Sequence, residues 1–364
     1  MIKKGEISPF FRKFVPLNIK NKVMALIHFL NVLDGDCSII QHDSGRISVI
    51  DVSNAYDATD TEQEKLVKAV KDKEVKENNF VPNDKINYNQ KKNPDNPIDY
   101  INTKIKKKDI FRFIITHPDM DHLDGLKDFY SEFKVANTWL SENNKELDLK
   151  TFPNKYNPED WKFYTEIRDG KYTGTTKLTY KVGDDNSYFK EDNIKILCPT
   201  NALIKQANTE GGDIHDLSYV LLFTFPKKGG GTWKFIFAGD SHDNSWEYIL
   251  RNFADDVKNI DVLFAPHHGR DSKRDYEFLN TLTPSVTLMG NASSEHLAYS
   301  CYKKTRITNN QAGHVIIDIN EERLLFLVKN KEFADNYRNK DGRKWGEAQL
   351  FKNHDAYALF QINA

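Results

Sequence analysis

Cysteine is scarce in this sequence: three residues, at 37, 198 and 301, with no close pairing and an odd total. That pattern argues against a disulfide framework or a cysteine-rich zinc module and fits free, buried thiols in a reducing compartment. Net charge is lacking as well, since 52 basic and 53 acidic residues leave a formal charge of −1. A nearly neutral chain exerts no global pull on nucleic acid or a membrane surface, so a polyanion would have to be met by a local patch or by metal ions. No apolar run approaches the ~20 residues of a membrane span. Positions 1–22 carry scattered charges (Lys3, Lys4, Arg12, Lys13, Lys20) without an apolar block of secretory length, and His28 and Asn31 interrupt the stretch 23–32. The expectation is a cytoplasmic protein that does not touch the membrane.

What the sequence does hold is length, 364 residues, with many aromatic and charged side chains. That is ample for a sizeable core. The stretch that organises it is Thr116-His117-Pro118-Asp119-Met120-Asp121-His122, which directly follows the apolar run Phe111-Arg112-Phe113-Ile114-Ile115. A buried strand ending in a tight loop holds its last side chains on a rigid edge, where imidazoles and carboxylates converge. His117 and Asp119 fall on one side of the loop, Asp121 and His122 on the other, enough for parts of two adjacent metal spheres.

Two further apolar runs end the same way. Trp233 to Phe237 leads into Ala238-Gly239-Asp240, and Val262-Leu263-Phe264 leads into Ala265-Pro266-His267-His268-Gly269-Arg270. A histidine pair at a third strand end, after two other ligand-bearing ends, points to at least one metal ligand. Elsewhere, alternation and turn residues predict strands at 25–32, 39–40, 47–52, 193–199, 218–225 and 285–290. Leu123, Leu126, Phe129 and Phe133 recur at helical spacing and predict a helix over 123–134; a second is expected over 244–253. Polar stretches at about 53–109 and 141–192 read as insertions. The first has a helical start over 61–70 and a loop of low order at 87–97; the second has a local core of Trp161, Phe163 and Tyr164. We expect one domain over 1–364, with a core of about 25–320 and an extension, 321–364, that adds a closing strand and helix.

The spacing His-x-Asp-x-Asp-His resembles the His-x-His-x-Asp-His signature of the metallo-β-lactamase superfamily. With Leu123-Asp124-Gly125-Leu126 behind it, the segment is similar to the hydrolase domain of the ComEC competence proteins. Other stretches are similar in the same order: 34–38 with 47–52, Ala238-Gly239-Asp240, Pro266-His267-His268-Gly269, and 291–296. ComEC proteins carry membrane helices, so this chain would be a free-standing soluble relative of their hydrolase part.

The resemblance implies an α/β four-layer αββα sandwich holding two divalent metal ions, Zn or Mn. By carry-over His117 and Asp119 hold the first ion, and Asp121, His122 and one of His267 or His268 the second, His268 being favoured, with Asp240 between them. A further ligand of the first ion falls to His215, Asp216 or water. Asp119 in place of an imidazole makes that sphere more anionic, which favours Mn. Paired cations lower the pKa of a shared water and hold the attacking and leaving oxygens, an arrangement suited to phosphodiesters. The catalytic candidates are then Asp121, which positions or deprotonates the nucleophile, Asp240, and His296, which meets substrate or protonates the leaving group. Arg270 and Ser272 would steady phosphate oxygens. The expected function is a metal-dependent phosphodiesterase or nuclease-like hydrolase acting on a phosphodiester or nucleotide. Alternatives are hydrolysis of another ester or amide (lactone, lactam, phosphocholine ester), or a metal-binding module without turnover whose insertions recruit a protein partner.

Overall fold

The computed structural model describes residues 23–53, 86–292, 297–302, 305–340 and 342–364, together with the backbone of the short strand β1 (Phe11–Arg12). The helical start expected over 61–70 lies outside the described residues, as does His296. Six more strands precede the middle of the chain: β2 (Ala25–Phe29), β3 (Ser38–His42), β4 (Ile47–Ile50), β5 (Asp109–Ile114), β6 (Lys134–Trp139) and β7 (Thr176–Leu178). Next come β8 (Ile194–Cys198), β9 (Val220–Pro226), β10 (Thr232–Phe237), β11 (Val262–Phe264), β12 (Val286–Met289) and β13 (Thr305–Thr308). The last are β14 (Val315–Ile319), β15 (Arg323–Val328), β16 (Leu350–Phe351) and β17 (Ala356–Asn363).

Among the described residues these form two sheets. One has the order β1-β17-β15-β14-β2-β3-β4-β5-β6-β7 with β16 paired to β17; the other has the order β13-β12-β11-β10-β9-β8. Because side chains alternate across a strand, each strand divides its apolar residues between two layers. Thus β10 turns Trp233, Phe235 and Phe237 into the core between the sheets and Ile236 outward. Likewise β2 contributes Ala25, Ile27 and Phe29, and β11 contributes Val262 and Phe264, to the same inner core. Burying each such large side chain stabilises the fold by about 1.5–3 kcal/mol.

The outer faces are covered by helices. Leu126–Glu132 and Pro158–Arg168 pack on the first sheet through Leu126, Phe129, Trp161 and Tyr164. On the second sheet the cover comes from Asn201–Ala207, Asp243–Val257 and Phe278–Leu282, through Leu203, Trp246, Ile249 and Phe278. Helix, sheet, sheet, helix is the αββα sandwich expected from the sequence. No helix among the described residues is long and apolar enough to cross a membrane.

Two expectations change. The helix begins at Leu126 rather than 123, because Met120–His122 forms a tight 3-10 turn and Gly125 takes a left-handed φ of 84°. Residues 87–97 are anchored rather than loosely ordered. Asp95 is buried there and accepts from the Asn31 N–H at 3.1 Å and Lys329 Nζ at 2.9 Å, with His314 Nδ1 at 3.1 Å. Beyond 321 the chain adds β15, the helix Lys331–Asn339, β16 and β17; β15 and β17 are inner strands of the first sheet, and Leu324, Phe326 and Phe360 lie in the core between the sheets.

The stretch 141–192 is also tied in. It supplies edge strand β7 and ends at Asp192, a buried carboxylate. Asp192 meets Arg112 of β5 at 2.6 Å and accepts from Arg46 Nε and Ser44 Oγ, both at 2.8 Å. Burial alone would raise the Asp192 pKa, but Arg46, His42 and Arg112 outweigh it and bring it down to about 2. A depressed carboxylate pKa contributes stability that is present above the ordinary value near 4 and is lost as pH falls through about 2. Asp192→Asn should therefore cost about 3–5 kcal/mol by denaturant titration at neutral pH, because it strands the buried Arg112 guanidinium. The gap from wild type should shrink between pH 4 and 2.

Candidate metal centre

The loops that follow β5, β10 and β11 converge at one rim of the sandwich. Parallel pairing sets Ile50 of β4 opposite Ile114 of β5, and Phe237 of β10 opposite Phe264 of β11. The residues just beyond these pairs therefore project from strand ends of like direction. Asp51 follows Ile50 with a left-handed φ of 56° and sits behind the first loop. It accepts from the Thr116 N–H at 2.7 Å and from the Thr116 hydroxyl at 2.6 Å, and its Oδ2 lies 2.8 Å from His122 Nδ1.

Asp240 is the hub of the cluster. Its carboxylate, 1% exposed, lies 3.3 Å from His122 Nε2, 3.6 Å from His267 Nε2, 3.7 Å from His117 Nε2 and 3.8 Å from His268 Nε2. His117, His215 and Asp240 bring ligand atoms within 4.8 Å of one another, and so do Asp121, His122 and His268. Asp119 borders the first group, 3.7 Å from His117 Nε2 and 3.5 Å from His215 Nε2. Asp121 Oδ2 is 3.4 Å from His268 Nε2.

The outer nitrogens of four of these rings have their own partners. Nδ1 of His122 meets Asp51, Nδ1 of His215 meets Asp213 Oδ1 at 2.8 Å, and Nδ1 of His117 meets the Thr116 hydroxyl at 3.2 Å. His268 Nδ1 lies 3.1 Å from Asp36 Oδ1 but out of line for a full hydrogen bond, an electrostatic contact. The inward atoms His117 Nε2, His122 Nε2, His268 Nε2 and Asp240 Oδ1 are buried with no hydrogen-bond partner among the described residues. Buried polar atoms left open and aimed at one point fit a cation.

Electrostatics agree. Burial works against charge on every member, yet Asp240 stays well below the ordinary carboxylate range because His122, His268, His117 and His267 surround it. His122 is raised despite burial by Asp240 and Asp51, and His215 is raised to about 10 by Asp119 and Asp213. Burial takes His267 the other way, down to about 3, against the pull of Asp240. This constellation requires positive charge at its centre, from protons or from metal.

Other groups complete the surroundings. Lys145 Nζ pairs with Asp119, offsetting the extra negative charge expected of the first sphere. Asp216 turns away to accept from Asn244 Nδ2 at 2.7 Å. Arg274, 5% exposed, reaches the rim, with Nη2 3.4 Å from His267 Nδ1 and Nη1 donating to the Ser241 carbonyl at 2.6 Å. The Ser272 hydroxyl accepts from Arg274 Nε at 2.9 Å, while Arg270 forms an isolated bridge with Leu297. Asp51 carried a readable signal, an acid directly after an apolar strand; Lys145 and Arg274 stand in polar stretches that gave none.

No family model matches this chain, and no curated protein matches it. Solved structures do. They include Igni18, a metallo hydrolase from the archaeon Ignicoccus hospitalis, at 12% identity and TM-score 0.41, covering 81% of this chain and 100% of that one. A diphosphatase of the PhnP family is similar at 10% identity and TM-score 0.33, covering 73% and 86%. CmlA, a diiron β-hydroxylase from Streptomyces venezuelae, gives 10% and 0.44, covering 82% of this chain and 55% of that one. Scores below 0.5 add nothing about this chain's chemistry, and its architecture stands on its own sheet order.

The loop geometry itself can be tested through Gly35. It has φ of 86°, and a Cβ placed on it would overlap the Asp121 carbonyl. Gly45, with φ of 83°, has nothing within 4 Å of such a Cβ. Gly45→Ala should cost only the left-handed penalty of about 1–2 kcal/mol. Gly35→Ala should cost distinctly more in a thermal melt, because it must also push Asp121 aside.

Proposed function

We propose that this chain is a cytoplasmic hydrolase of the metallo-β-lactamase type that cleaves phosphodiesters with two divalent ions, zinc or manganese. The observation that carries this reading is Asp240, a buried carboxylate within 3.3–3.8 Å of four imidazole Nε2 atoms that come from two separate loops. One ion would be held by His117, His215 and Asp240 with Asp119 beside them, the other by Asp121, His122 and His268 with Asp240 shared. Bound there, such ions supply Lewis acidity, lowering the pKa of a water and neutralising phosphoryl charge.

The chain's own residues do the rest. Asp51, Asp213 and Thr116 hold the outer nitrogens of three imidazoles and so fix ring orientation. Asp121, whose side chain is 23% exposed, stands where it can orient the attacking water. Arg274 puts a cation at the rim, which suits an anionic substrate. The His-x-Asp-x-Asp-His spacing followed by Leu123-Asp124-Gly125 supports the ComEC-type resemblance and hence a phosphodiester over a lactam or lactone.

Elemental analysis of purified protein, combined with a panel of single-stranded DNA, RNA, cyclic nucleotides and aryl phosphodiesters with added Mn or Zn, tests the proposal. We expect about two metal equivalents per chain, diester turnover that vanishes on chelation, and at least ~10²-fold slower turnover in Asp240→Asn together with reduced metal content. Turnover confined to lactams or lactones would overturn the substrate class. Full metallation without turnover on any substrate would point to a binding module instead.

A further inference from the structure

Five imidazoles ring Asp240, and four share one wiring. Nδ1 of His122, His215 and His268 each faces a carboxylate oxygen, of Asp51, Asp213 and Asp36. His117 Nδ1 faces the Thr116 hydroxyl, whose own proton is already given to Asp51, so that oxygen can only accept. In His122, His215 and His117 these hydrogen bonds place the ring proton on Nδ1, and the Asp36 carboxylate favours it there electrostatically in His268, leaving the Nε2 lone pairs aimed inward, as a metal ligand requires.

His267 is wired the opposite way. Its Nδ1 faces the Arg274 guanidinium at 3.4 Å, and a guanidinium carries donors only. Nδ1 must therefore accept, and the ring proton sits on Nε2, the atom 3.6 Å from Asp240 Oδ2. Arg274 is held to this task by its bond to the Ser241 carbonyl at 2.6 Å and by the Ser272 hydroxyl at 2.9 Å. The backbone turns the two neighbouring rings apart: His267 and His268 both take left-handed φ, 52° and 57°, and their rings meet at 75°. His268 is thereby buried beside Asp121, while the His267 side chain stays 19% exposed at the rim.

We propose that His267 is not a metal ligand but a hydrogen-bond donor, presenting Nε2–H to an anionic oxygen of the substrate, with Arg274 as the positioning residue that fixes its tautomer. The proposal rests on the metallohydrolase reading for its substrate, a phosphoryl oxyanion, though not for the tautomer itself. A donor fixed beside the hub can strengthen its bond as charge builds on the reacting group, without reorganising.

Long-range 1H–15N NMR of histidine-labelled, metal-free protein, with His267 assigned by its loss in His267→Gln, reads the tautomer directly. The expected pattern is a protonated Nε2 and a bare Nδ1, giving way to the other tautomer or a mixture in Arg274→Met. Elemental analysis should find the wild-type metal content in His267→Gln and a lost equivalent in His268→Ala, while diester turnover in His267→Gln falls about 10²–10³-fold. A lost metal equivalent in His267→Gln, a protonated His267 Nδ1 in wild type, or unchanged turnover in His267→Gln would each overturn the proposal. A wild-type protein that binds no metal and cleaves nothing would sink the hydrolase reading alone, with the NMR experiment still deciding the tautomer.

Discussion

Everything at the rim of this sandwich depends on one electrostatic constraint: the Asp240 carboxylate is buried among imidazoles and cannot be left uncompensated. An unpaired buried carboxylate costs several kcal/mol even after the surroundings relax. Placing it there makes sense only if positive charge accompanies it. The fold supplies the geometry by ending parallel strands side by side, so that Asp240 and the 267–268 pair leave from neighbouring strands β10 and β11. The first loop then arrives from the opposite sheet. Sandwich packing and the geometry of this charge cluster are in this sense one problem, because a shift of either sheet would separate the charges.

The supporting shell is as specific as the inner one. Asp51 serves three donors at once, tying the Thr116 backbone, the Thr116 hydroxyl and the His122 ring to the end of β4. Lys145 neutralises Asp119 from the segment after β6. As a result the group around His117 and His215 carries less net negative charge than its sequence suggests.

Much of this is legible in the sequence. The three strand ends carrying His117, Asp240 and His268 could be read because each of these polar residues stands within a few positions of the end of an apolar run, and burial of the run fixes where it must stand. Sheet order could not be read. It hides the role of Asp51, which depends on β4 lying parallel to β5, a pairing across a polar stretch of more than fifty residues. The segment 87–97 misled for a related reason: its composition is that of a loop, yet Asp95 finds His314 and Lys329 more than two hundred positions away. Helix boundaries slipped where Gly125 and the 3-10 turn intervened, since periodicity reports a face and not a start.

The order of strands in the larger sheet has a further consequence, for assembly. β2 is bordered by β3 and by β14, and β17 lies between β1 and β15. A growing polypeptide therefore exposes an unsatisfied ladder along β2 until residues 315–319 have emerged, and that sheet stays open until 356–363 arrive. Loop-closure entropy makes such distant pairings slow to form. The nascent chain must pass through a stage with a naked, apolar strand margin, the kind of surface that chaperones shield.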